Sequence, residues 1–147
     1  AIIVEPPGGL PPVDREYYVG QAEWYLGAVV AKDDPANVTG GLADYAELDM
    51  ALAGDERPNL YTFNGYKTAL ADNPLRATEG NRVRIFFVNG GPNKISNFHF
   101  IGQIFDKVAV GLPRPTQMQM NEETMAVTPG SAAMFEMETL VPGKYLV

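Results

Sequence analysis

Residues 82–101 read Arg-Val-Arg-Ile-Phe-Phe-Val-Asn-Gly-Gly-Pro-Asn-Lys-Ile-Ser-Asn-Phe-His-Phe-Ile. Two runs rich in β-branched and aromatic residues, Arg82–Val88 and Asn97–Ile101, flank Asn89-Gly90-Gly91-Pro92, a turn where φ > 0 is wanted. Strand, turn, strand is the pattern, and it repeats outward in both directions. The chain's 15 Gly and 12 Pro punctuate short apolar runs throughout, as in an all-β sandwich or barrel. The reading is an antiparallel β sandwich. Further strands are predicted at Ile2–Val4, Tyr17–Leu26, Leu60–Phe63, Ile104–Val110, Thr124–Val127, Ala132–Glu138 and Lys144–Val147. One short helix is predicted over Leu42–Ala53, where Leu42, Tyr45, Ala46, Leu48 and Leu52 give a loose 3.6-residue stripe that stops at Gly54. Pro6–Pro12 (Pro-Pro-Gly-Gly-Leu-Pro-Pro) cannot continue a ladder, because proline lacks an N–H, and reads as an irregular connection. Asp33–Gly41 reads as a surface excursion and Asn64-Gly65 as a turn.

Composition narrows the chemistry. The 147 residues suffice for one domain with one sizeable core, and no apolar run approaches the ~20 residues of a membrane span. Lys and Arg number 11 and Asp and Glu 18, a net charge of −7 that argues against nucleic acid or an anionic membrane as partner. With no Cys there is no disulfide framework, no thiolate nucleophile and no cysteine-ligated blue-copper centre in this chain. The single His, His99, leaves no three-histidine metal site within one copy. Both ends lie in apolar runs, Ala1-Ile-Ile-Val4 and Lys144-Tyr-Leu-Val147, so residues 1–147 are expected to be one domain cut short at both ends. No signal-peptide pattern precedes it, so a secretory signal would belong to a longer precursor.

His99 is the residue to explain. Alternation in Asn97–Ile101 puts Asn97, His99 and Ile101 on one face and Phe98 and Phe100 on the other. With the phenylalanines in the core, His99 points elsewhere, either bonded to backbone as a partly buried ring or serving as a proton donor or metal ligand at a boundary. Glu122 and Glu123 face opposite ways on a strand and read as a solvated loop edge rather than an acid/base pair. Met118, Met120 and Met125 have the soft ligands of a Cu(I) site, but methionine is mostly a core gap-filler. Tyr17, Tyr18, Trp24 and Tyr25 form an aromatic strand that either stacks a sugar or packs on the core. Gly8-Gly9 and Gly40-Gly41 lack the context of a phosphate-binding loop.

Four segments carry a family resemblance. Residues 2–19, Ile-Ile-Val-Glu-Pro-Pro-Gly-Gly-Leu-Pro-Pro-Val-Asp-Arg-Glu-Tyr-Tyr-Val, resemble the connection into the second cupredoxin domain of copper-containing nitrite reductases, with 1–16 as the inter-domain stretch. Tyr61-Thr-Phe-Asn-Gly-Tyr66 with Ala69-Leu70 resembles a later part of that domain. Residues 89–108, Asn-Gly-Gly-Pro-Asn-Lys-Ile-Ser-Asn-Phe-His-Phe-Ile-Gly-Gln-Ile-Phe-Asp-Lys-Val, carry the most specific similarity, and Val141-Pro-Gly-Lys-Tyr-Leu-Val147 resembles a strand near the domain's end.

The resemblance implies a cupredoxin-like Greek-key sandwich from a two-domain, trimeric, periplasmic or exported enzyme that reduces nitrite to nitric oxide with a type 1 and a type 2 copper. It implies that His99 is the proton-donating histidine at the type 2 site and that Ile101 shapes the nitrite pocket. It further implies that Thr124 and Glu123 hold the catalytic histidine by hydrogen bonds. Gln103 stands where many members carry Glu. The family's copper ligands fall in the first domain or just past Val147, so the resemblance implies no metal site completed within this chain. The expected partners are then the remaining segments of the same protein, other copies in a homotrimer, nitrite, and an electron-donor protein of unknown identity. A related two-domain multicopper oxidase and a non-catalytic cupredoxin-like assembly module share the fold and are the alternatives.

Overall fold

Ten strands form among the residues described, 2–111 and 115–147, in a computed structural model. They are β1 (Arg15–Trp24), β2 (Leu26–Val30), β3 (Tyr45–Leu48), β4 (Leu60–Phe63), β5 (Arg82–Asn89), β6 (Ser96–His99), β7 (Phe105–Val110), β8 (Gln119–Glu122), β9 (Thr124–Val127) and β10 (Ala132–Glu138). Two short helices, α1 (Met50–Gly54) and α2 (Ala69–Asp72), interrupt them. A six-stranded sheet runs in the order β4-β1-β5-β10-β7-β8, and β2-β3 and β6-β9 form two-stranded ribbons.

The 82–101 stretch supplies the centre of the fold. Alternation along β5 turns Val83, Ile85 and Phe87 to one face, where β1 adds Val19 and β10 adds Ala133, Phe135 and Met137, all buried. The β6-β9 ribbon covers this face as a second layer. Phe98 of β6 meets Phe87 at a ring-centroid distance of 4.4 Å, Phe135 at 4.6 Å and Phe105 at 6.0 Å. Burial of each such side chain contributes about 1.5–3 kcal/mol, so the ribbon is held to the sheet mainly by apolar area.

The sheet's other face carries a row of charge. Register places Glu16, Arg84, Glu136 and Lys107 side by side across β1, β5, β10 and β7, in alternating sign. Arg84 is 2% exposed; Nη1 donates to Glu16 Oε1 (2.5 Å) and Nε to Glu136 Oε1 (2.8 Å). Its Nη2 donates to the carbonyl of Pro11 (2.6 Å), pinning the Pro6–Pro12 connection over the sheet. Burial works to lower the Arg84 pKa, but the hydrogen bonds and charges of Glu136 and Glu16 outweigh it and raise the pKa above the usual arginine value.

Leu60–Phe63, Thr124–Val127 and Ala132–Glu138 form strands with the bounds expected. Other expectations need correction. The large sheet is mixed, because β1 pairs parallel to β5 while its other pairings are antiparallel. Ile2–Val4 and Lys144–Val147 are not strands; the latter segment reaches the fold through Leu146, whose carbonyl accepts the N–H of Ile101. The helix expected over Leu42–Ala53 is confined to α1. Asp49 Oδ1 accepts the N–H groups of Ala51 and Leu52, an N-cap that starts the helix there. Upstream, Tyr45, Ala46 and Leu48 pair with β2 instead. The Tyr17–Leu26 run divides at Tyr25, and β8 and α2 arise where no element was expected.

Candidate functional site

His99 ends β6 directly opposite Thr124, which begins β9. The core takes Phe98 and Phe100, leaving His99 half-buried and Ile101 59% exposed, so burial alternates through this segment although β6 itself stops at His99. Ring atom Nδ1 lies 2.6 Å from the backbone carbonyl of Glu123 and 3.0 Å from Thr124 Oγ1. A carbonyl only accepts, so Nδ1 must carry the proton it shares with these two oxygens. In the neutral ring, Nε2 is therefore the atom with the free lone pair. The Nδ1 side of the ring is thereby anchored. This arrangement fixes the tautomer of the ring.

The structure brings together His99, Glu123 and Thr124, with Glu123 acting through its main chain. Ile101 follows at the turn into Gly102, its N–H bonded to Leu146. Gln103 donates from Nε2 to the carbonyls of Ile104 (3.2 Å) and Glu138 (2.9 Å), a task no carboxylate performs, which accounts for an amide at this position. Asp106 accepts the N–H of Glu138 and ties β7 to the end of β10. The methionines do not share one environment: Met125 packs on the core and Met120 is exposed on β8. The aromatic strand is likewise split. Tyr17 packs on the core and bonds Arg76 through its hydroxyl, and Tyr25 is buried, whereas Tyr18 and Trp24 face outward. Among the described residues, no three His, Cys, Asp or Glu side chains gather to hold a metal ion. Two shallow grooves, one beneath the Pro6–Pro12 connection and one walled by Tyr18 and Trp24, are not lined by His99.

Two buried residues at the end of the β6-β9 ladder away from His99 escaped the sequence reading. Glu23 and Asn89 are buried polar side chains of β1 and β5. Their signal was a carboxylate and an amide at inward positions of alternating strands, where an apolar residue would be the default.

No protein-family model matches the chain. Over 145 residues, 98% of this chain, it is 39% identical to a copper-containing nitrite reductase of Neisseria meningitidis and covers 34% of that protein. The copper nitrite reductase structure of Nitrosomonas europaea matches 92% of this chain and 43% of its own, with a TM-score of 0.66 and 29% identity. That of Thermus scotoductus matches 91% of this chain and 26% of its own, with a TM-score of 0.69 at 23% identity, a likeness of fold. The chain thus spans about a third of the length of the curated relatives it matches. In sequence and fold it is a relative of copper-containing nitrite reductases, corresponding to a cupredoxin-like portion of them.

Proposed function

We propose that this chain is the second-domain portion of a copper-containing nitrite reductase that reduces nitrite to nitric oxide, and that His99 is its proton donor. The observation that carries the reading is the fixed Nδ1–H of His99, held by the Glu123 carbonyl and Thr124, which leaves Nε2 as the one exchangeable position. Ile101, exposed beside it, forms an apolar wall of the nitrite pocket.

A single imidazole nitrogen does not fit a complete copper centre, so the type 1 and type 2 coppers of this reading are held by residues outside the chain. The reading includes assembly into a trimer whose subunits share the site, and export to the periplasm. Among the described residues, no helix is long and apolar enough to cross a membrane.

The test is His99→Ala in the longer protein that contains this chain. Loss of a positioned proton donor should lower nitrite turnover by ~10²–10⁴-fold with copper content unchanged. Wild-type turnover in that variant would remove His99 from the chemistry. Oxygen consumption without nitrite reduction by the unaltered protein would move the function to a multicopper oxidase.

A further inference from the structure

The strand ladder that carries His99 is only four pairs long, from Ser96 opposite Val127 to His99 opposite Thr124. A slip of one residue would turn Phe98 outward and drive His99 among the phenylalanines. The buried face of Phe98 and Phe100 opposes such a slip, and directional bonds add to that apolar preference. A set of buried polar bonds lies at the other end of the same ladder.

Asn89, fully buried at the end of β5, donates from Nδ2 to the carbonyl of Lys94 (2.8 Å) and to that of Val127 (2.9 Å). It thereby holds both sides of the ladder at its first pair, the segment entering β6 and the end of β9. Its Oδ1 accepts the N–H of Gly91 at 3.3 Å. Glu23 is 2% exposed, and its Oε1 accepts the N–H groups of Asn93 (2.6 Å) and Lys94 (2.8 Å), with the Tyr25 hydroxyl at 3.5 Å. Its Oε2 has no hydrogen-bond partner and fills the space beside Gly91, where a Cβ would lie 1.5 Å from it. Gly91 is thus required for room. The Ser96 hydroxyl donates to Gln21 Oε1 (2.7 Å), two residues before Glu23 on β1.

Asn89 uses both donors and its oxygen, and Glu23 is held through Oε1 with Oε2 confined against Gly91; buried directional bonds of this kind add to the arrangement that apolar contact favours. We infer that Glu23 and Asn89 are positioning residues for His99: from the base of the β6-β9 ladder they fix the register that places Nδ1 on the Glu123 carbonyl and leaves Nε2 free. The inference rests on the proposed role of His99 for its bearing on catalysis, but its geometry can be read independently.

The chain has one histidine, so its ring nitrogens give a unique signal in ¹⁵N-resolved NMR. In the unaltered chain the shifts should report the Nδ1–H tautomer. Asn89→Asp keeps the size and removes both donors, and Glu23→Ala removes the acceptor of two N–H groups. In each, the Nδ1–H form should fall to a minority while the amide signals of β5 and β10 persist. Glu23→Gln, which retains an acceptor oxygen, should restore the tautomer. A persistent Nδ1–H tautomer in the folded Asn89→Asp and Glu23→Ala chains overturns the inference. So does global unfolding of both, because the two side chains would then hold the whole fold rather than His99. Failure of the functional reading gives a different pattern: normal turnover in His99→Ala, with the tautomer still responding to Asn89 and Glu23.

Discussion

The two faces of the six-stranded sheet are made by alternate residues of the same strands, yet they are stabilised in different ways. The inner face, built on Val83, Ile85, Phe87 and Phe135, meets Phe98 and Phe105 through apolar burial. The outer face has at its centre the Glu16, Arg84, Glu136, Lys107 row, whose partners are named atoms at fixed distances. The difference explains the placement of the site. A packed apolar face can hold a ribbon in place, but anchoring a ring by one nitrogen needs polar bonds, and these sit at the ribbon's ends.

The comparison is broken most severely at Phe98. Phe98→Ala removes the ring that touches Phe87, Phe105 and Phe135 and should cost about 3–5 kcal/mol in denaturant unfolding. It should also loosen the seat of His99, visible as lost protection of the β6 and β9 amides. A loss below about 1 kcal/mol, the range of ordinary surface changes, would show that the ribbon is not held by the inner face.

Arg84→Met asks whether the outer face is comparably demanding. Removing the guanidinium strands Glu136, which is buried, with only Lys107 at 3.5 Å, and should cost about 3 kcal/mol. The same change releases the Pro11 carbonyl, so proteolysis within 6–13 should quicken before the sheet unfolds. Equal protease resistance in the variant would show that the connection is held by packing alone. Among the described residues, Arg84 makes the one hydrogen bond that joins residues 2–13 to the rest of the fold.

Much of this organisation was legible in the sequence, and the exceptions have physical causes. Strands such as Thr124–Val127 and Ala132–Glu138 declared themselves as short, largely apolar runs set off by Gly and Pro. Leu42–Ala53 misled because Leu, Ala and Tyr at irregular spacing fit a helix and a half-buried strand alike. Asp49, a capping residue inside the run, marked the true boundary. In the site, the placement of His99 followed from Phe98 and Phe100. Its contacts with Glu123 and Thr124 were implied only by the family resemblance, since a backbone carbonyl 24 residues away has no side-chain signature. Glu23 was overlooked because its neighbours Ala22, Trp24 and Tyr25 drew the reading toward aromatic packing.

Gln103→Glu sharpens the comparison at the end of β10. The amide donates to two carbonyls, and a carboxylate would face both with lone pairs, costing about 1–3 kcal/mol at neutral pH. Protonation restores one donor, so the folded state binds that proton more tightly than the unfolded state does. The variant should therefore recover stability relative to the unaltered chain as pH falls through the carboxyl range. A difference between the two chains that does not change with pH would mean that the Gln103 side chain contributes only volume.

The smallest effect is expected at the far end of the charge row. Lys107 is a third exposed and its ammonium lies 3.5 Å from Glu136 Oε2, whereas Arg84 reaches Glu136 through two shorter contacts in a buried setting. Water competes for the lysine, so Lys107→Ala should cost roughly 0–1 kcal/mol and vanish in high salt, while the cost of Arg84→Met persists there. Burial thus grades one row of alternating charge from an exposed end to an obligatory centre. A Lys107→Ala loss as large as that of Arg84→Met, insensitive to salt, would instead make the four charges a single cooperative unit. The outer face would then be as indivisible as the phenylalanine cluster beneath it.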